Sequence, residues 1–188
     1  MNPYTDPMSR RSTDASLDET ERDVLKRREE HGWFVNVIAE DEVGPGFAYS
    51  FGLYEEFSHP EVIIFGLPND TMQTLVNDVG NHIRAGTKYS AGDRTNDLIE
   101  GYTCIFREVN PVHYAETFTW AMWFYGNRNF PALQLVWPDK HSNEHLKCSA
   151  TVREEQGPEV TAHAAEYTPL SSEEEANQKS RKNNLLKT

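Results

Sequence analysis

Apolar residues recur along this chain in two rhythms. Between Pro68 and Arg84, Met72, Leu75, Val76, Val79 and Ile83 fall on one face of a 3.6-residue repeat, which predicts a helix over 68–84. Asn69 or Asp70 can cap its start and Gly86 can close it. Elsewhere the apolar residues come in short β-branched and aromatic runs: Trp33–Glu40, Phe47–Leu53, Glu61–Gly66, Tyr102–Val109 and Phe130–Trp137. Each reads as a strand. Gly44-Pro45-Gly46 joins the first two as a hairpin, and Pro138 ends the last. Ser16-Leu17-Asp18-Glu19 matches a capping box, so a charged surface helix is expected from about Leu17 to Glu30, with Gly32 closing it. Thr87–Gly101 reads as a polar connection; Val112–Tyr125 has no clean period, and Ala115, Phe118, Thr119 and Met122 favour a helix there. The order predicts an α+β domain: a mostly antiparallel sheet of about five strands with helices packed on one face.

The aromatic residues set the limits of that domain. Only Tyr4 and Tyr167 lie outside Trp33–Trp137. Aromatic side chains bury large areas, so the core must lie between them. Residues 1–16 are expected to be a disordered leader, residues 17–140 the single folded domain, and residues 141–188 a disordered polar tail. The tail holds the charge runs Ser171–Glu175 and Lys179–Lys182.

Charge narrows the class of partner. Lys plus Arg number 18 against 30 Asp plus Glu, a formal charge of −12. That balance excludes nonspecific nucleic-acid binding, which needs a basic footprint. No run approaches the roughly 18 apolar residues of a membrane span, and no secretory h-region precedes the domain. Membrane association is not expected, and the cytoplasm is the expected location. The only cysteines, Cys104 and Cys148, are too few for a disulfide scaffold.

Four blocks in order carry a family resemblance: His31-Gly32-Trp33, Phe47–Leu53, His59-Pro60-Glu61-Val62 and Leu133–Asp139. The region from His31 to Asp139 resembles the bacterial family called domain of unknown function 4262 (DUF4262). The resemblance implies a small soluble bacterial protein and no particular activity.

The same blocks hold the candidate chemistry. His59-Pro60-Glu61 has the H-x-E half of a zinc-deaminase signature, but the P-C-x-x-C half is absent. Such a site cannot close without paired thiolates, so a stiff turn into a strand is the expected role. Ala48-Tyr49-Ser50-Phe51-Gly52 approximates the nucleophile elbow G-x-S-x-G. The elbow needs a turn and a helix after its serine, whereas Ser50 is expected in mid-strand with no helix opening at Gly52. Asp139, His141 and His145 have metal-ligand types, but they sit where the expected domain gives way to the tail, and closing a site on a flexible segment costs chain entropy. Cys104 is expected to be an inert buried thiol. No Gly-rich phosphate loop occurs, and neither a cofactor nor a metal is expected.

Polar residues beside prolines at strand ends can converge on stiff backbone. The candidate site is therefore Tyr49, Ser50, His59, Glu61, Gln134, Trp137 and Asp139. Tyr49, His59, Glu61 and Asp139 are expected on one side of the sheet around a shared cleft, with Gln134 projecting the other way. The leading expectation is a module that binds a protein or small molecule, its acidity favouring a basic partner. The alternative is a small hydrolytic or metal-assisted enzyme using His59, Glu61 and Asp139. Whether the chain is an enzyme stays open at this point.

Overall fold

The apolar run Glu61–Phe65 contains neighbours that must be buried on opposite faces of a sheet, because successive side chains alternate. The same holds for Ala132–Val136, buried at every position. Strands of this kind need cover on both faces. In the computed structural model, which describes residues 9–42 and 44–137, they lie side by side in the middle of one six-stranded sheet.

The elements run α1 (Glu19–His31), β1 (Phe34–Ile38), β2 (Phe47–Phe51), α2 (Leu53–Phe57), β3 (Glu61–Phe65), α3 (Asn69–Arg84), β4 (Arg94–Ile99) and β5 (Tyr102–Glu108). A 3₁₀ turn (Pro111–His113) then leads into α4 (Tyr114–Thr117), α5 (Thr119–Tyr125) and β6 (Ala132–Val136). The strand order is β1-β2-β3-β6-β5-β4. All neighbouring pairs are antiparallel except β3 and β6, which are parallel, with Val62 opposite Leu133. The fold is thus α+β with a mostly antiparallel sheet.

Helices cover both faces rather than the single face expected from the sequence. On one face α3 buries Met72, Leu75, Val76 and Val79 against Val62, Ile64, Phe106 and Leu135. On the other, α1, α4 and α5 pack around Tyr49, Phe51, Ile63 and Ala132. All seven residues of α5 are buried. The physical reason is the pair of continuous apolar strands at the sheet's centre, which one layer cannot cover.

Other departures are local. The sixth strand, β4, lies in the stretch read as a polar connection; half of its residues are exposed and only Thr95 is buried. The capping box sits two residues later than expected, with Asp18 as cap and Glu21 as its reciprocal partner. Gly32 ends α1 at φ 87°, the left-handed region that favours glycine. Residues 9–16, expected as part of a disordered leader, are tied to the body. The Arg10 backbone N–H donates to the Phe124 carbonyl, and Ser12 bonds Glu29 through its hydroxyl and its backbone N–H. The expected tail, 141–188, lies outside the described residues. Among the described residues, no helix is long and apolar enough to cross a membrane.

Candidate functional site

Two clusters of polar side chains stand out, one inside the fold and one on its surface. The first forms where β2 turns into α2. Gly52, at φ 106°, makes that turn, and glycine adopts this conformation at no steric cost. A side chain there would also meet the Arg28 guanidinium, since a Cβ would lie 2.7 Å from its Nε. The turn brings the end of β2 over the first residue of β3, Glu61, which is fully buried.

Among the described residues, no cation pairs directly with Glu61. Its Oε1 accepts from the Gly52 N–H at 2.9 Å, the Tyr54 N–H at 3.0 Å and the Tyr125 hydroxyl at 2.5 Å. Its Oε2 accepts from the Ser50 hydroxyl at 2.6 Å, and Ser50 Oγ accepts in turn from the Val62 N–H at 2.9 Å. Burial pushes the Glu61 carboxyl above its ordinary range, although Ser50, Tyr125 and the two backbone amides all favour the anion. Burial and the Glu61 charge push the Tyr125 phenol well above its ordinary value. The other side of the Gly52 peptide faces a cation: its carbonyl accepts from Arg28 at 3.3 Å. Arg28 is only 4% exposed, stacks over Phe124 and pairs with Glu55 at 2.8 Å. Burial alone would raise the Glu55 carboxyl, but hydrogen bonds from Arg11 and Ser9 and the Arg28 charge hold it below its usual value.

The residues expected to converge are divided among separate duties. Ser50 and Glu61 are brought together. Tyr49 is not with them: its hydroxyl accepts from the Trp120 N–H at 3.0 Å and from Asn36 at 3.1 Å, fixing the start of α5. His59 is also apart. Its Nδ1 meets the Pro60 carbonyl at 2.7 Å, and its Nε2 meets the Tyr89 N–H at 3.0 Å. Those partners require a neutral ring with its proton on Nδ1, and burial lowers its basicity accordingly. Tyr89 packs with the α3 cluster, whereas Tyr125 belongs to the α5 cluster. Gln134 is largely buried on β6 opposite Ile63. The Trp137 indole donates to the Phe65 carbonyl at 3.0 Å. Asp139, His141, His145 and Cys148 lie outside the described residues. A helix does open directly after Gly52, contrary to expectation, but Ser50 stays within β2 with its hydroxyl committed to Glu61. Cys104 is buried, which pushes its thiol up to about 11.

The second cluster went unread in the sequence. A groove of about 400 Å³ opens between α1, β1 and α3, lined by Arg27, His31, Trp33, Phe34, Val35, Gln73, Asn77, Asn81 and Arg84. Its floor is Trp33, whose indole lies so close on α3 that a Cβ at Gly80 would stand 2.5 Å from the ring. Trp33 donates to Asn77 at 3.0 Å, and the Arg84 guanidinium sits 4.4 Å from an indole ring centre while donating to the His31 carbonyl. The signal was present in the sequence: Gln73, Asn77, Asn81 and Arg84 recur at helical spacing, beside the apolar stripe of α3. Arg27 and His31 share one face of α1 in the same way.

Comparison with known proteins supplies one relationship. The family described as Domain of unknown function (DUF4262) matches residues 28–143, more than half of the chain, and the chain belongs to that family. No curated protein and no solved structure matches it.

Proposed function

We propose that this DUF4262 domain is a binding module whose ligand, an anion, sits in the groove between α1, β1 and α3. One observation carries the reading. The chain has 30 acidic against 18 basic residues, yet two arginines, a histidine and three amides line the groove without a single Asp or Glu; Arg27 pairs with Asp23 at 2.8 Å just outside it, and among the described residues Arg84 has no carboxylate partner. Local charge of that sign, beside an aromatic floor, suits a carboxylate or phosphate group. Its volume falls in the range of small-ligand pockets, roughly 300–1,000 Å³. The overall acidity suggested a basic partner; the groove favours a ligand of the opposite sign.

The enzymatic alternative has less support. A reacting group needs polar atoms aimed at a substrate. Ser50, His59 and Glu61 are all buried and spend their polar atoms on neighbours in the protein.

Titration with glutarate and with inorganic phosphate tests the reading, followed through the indole N–H resonance of Trp33. Saturable shifts at Trp33 and at the Arg84 side chain are expected, and Arg84→Ala should remove them without lowering the melting temperature. Shifts that spread over the surface without saturating, or none from either anion, would defeat it.

A further inference from the structure

We infer that the groove receives an extended acidic peptide, which adds to β1 as a seventh strand. This rests on the groove reading above and names the ligand class.

The two edges of the sheet are built differently. An edge strand exposes a row of backbone N–H and C=O groups, and proteins ordinarily block it with charge, proline or a bulge. β4 is blocked in this way: it carries Arg94 and Asp97, and its register with β5 shifts between Thr95 and Ile99. β1 has none of these devices. Phe34-Val35-Asn36-Val37-Ile38 holds no charge and no proline, and it pairs with β2 in unbroken register from Phe34 to Ile38. Among the described residues, β2 is its only strand partner, and no turn or loop backbone bonds to it.

The groove runs beside this open edge. Trp33, Phe34 and Val35 belong to or adjoin β1; Arg27 and His31 stand on one bank, and Asn77, Asn81 and Arg84 on the other. Successive side chains of an added strand point to opposite sides, so carboxylates on a peptide would meet one bank or the other. Arg84 is preset for this: Trp33 holds its guanidinium, which has five donors and uses one on the His31 carbonyl. A second copy of this chain fits less well. Pairing β1 with β1 about a two-fold axis brings Arg27 and Arg84 of each copy toward the same residues of the other.

The test uses the full chain and a fluorescein-labelled peptide that alternates valine with glutamate. Its anisotropy should rise saturably, and the affinity should fall with added salt. Arg84→Glu should weaken binding roughly tenfold or more while leaving the melting temperature in place. Amide hydrogen exchange should slow within Phe34–Ile38 when the peptide is bound. The same peptide N-methylated at every backbone nitrogen should fail, because it cannot donate main-chain hydrogen bonds. Equal binding of the N-methylated peptide, or no slowing in β1, overturns strand addition. So does a chain that answers glutarate at Trp33 but ignores the peptide; the anion groove then survives alone. No response to glutarate, phosphate or peptide removes the groove reading as well. A dimer that protects β1 without peptide assigns the edge to a second copy and overturns the proposal.

Discussion

Glu61 and Arg84 each sit where polar groups gather, at the two ends of a range of solvent exposure. Glu61 is fully buried, and four donors converge on its two oxygens. Arg84 is exposed, rests on an aromatic ring and gives one hydrogen bond to a carbonyl. A buried group whose partners all come from the protein acts on stability, since removing it strands those partners. An exposed group with donors to spare contributes little to stability and is available to a ligand. The difference teaches that a gathering of polar residues is a site only where it leaves something unsatisfied toward solvent.

The largest expected effect is at Glu61. Glu61→Ala leaves the Tyr54 N–H and two hydroxyls without their acceptor and opens a void, so urea unfolding should show a loss on the order of 2–5 kcal/mol. A loss below about 1 kcal/mol would mean that the cluster re-pairs without its carboxylate. Glu61→Gln keeps the volume and should cost roughly 1 kcal/mol, since Ser50 must turn its hydroxyl.

The Gln variant also isolates the pH dependence. Burial raises the Glu61 carboxyl above 4.5, so the folded state holds that proton longer than the unfolded state. Its contribution is fully present below the ordinary carboxyl range and is lost as pH rises through the folded value. Stability of the native chain relative to Glu61→Gln should therefore decline as pH climbs from about 4.5. Glu55 should show the opposite sign. Its folded value lies below 4.5, so its contribution is present above that value and is lost as pH falls through the folded one. Parallel stability-versus-pH differences for Glu61→Gln and Glu55→Gln, each against the native chain, would break the contrast.

Gly80→Ala falls between the extremes. The new methyl meets the Trp33 ring, and the indole must move off α3. The expected net loss is roughly 1–2 kcal/mol, because overpacking outweighs the helix preference for Ala. Anion binding should weaken with it, since the groove floor shifts. Unchanged binding with lost stability would separate Trp33 from the ligand. The smallest change in stability is expected for Arg84→Ala, below about 1 kcal/mol, for an exposed cation on an aromatic ring. A larger loss in thermal unfolding would make Arg84 structural, and the comparison with Glu61 would fail.

Legibility in the sequence followed the strength of local signals. The 3.6-residue stripe of α3 was readable almost to the residue because burial on one face enforces it. The core strands were readable from their β-branched runs. β4 was not, since an exposed edge strand has no apolar alternation and is held by its hairpin with β5. Both-face coverage was written in Glu61–Phe65 and Ala132–Val136, yet it depends on their being neighbours, which short runs do not reveal. In the site, Ser50 and Glu61 were named as candidates, but their mutual bond needs the left-handed turn at Gly52. The groove escaped notice because its residues come from three elements. Each alone looks like an ordinary polar helix face or a strand start.

The parallel pairing of β3 with β6 has a consequence for the chain during its synthesis. β1, β2 and β3 follow one another and can pair as soon as they emerge, and α3 comes next to cover one of their faces. The inner edge of β3 then waits for Ala132–Val136, and the face bearing Phe51 and Ile63 waits for α5. A half-made chain therefore carries, in mid-sequence, an unpaired strand edge beside bare aromatic surface. This is the combination that nascent-chain chaperones hold and that drives misassembly between neighbouring ribosomes' products. α5 covers the aromatic surface first, and β6 then closes the edge.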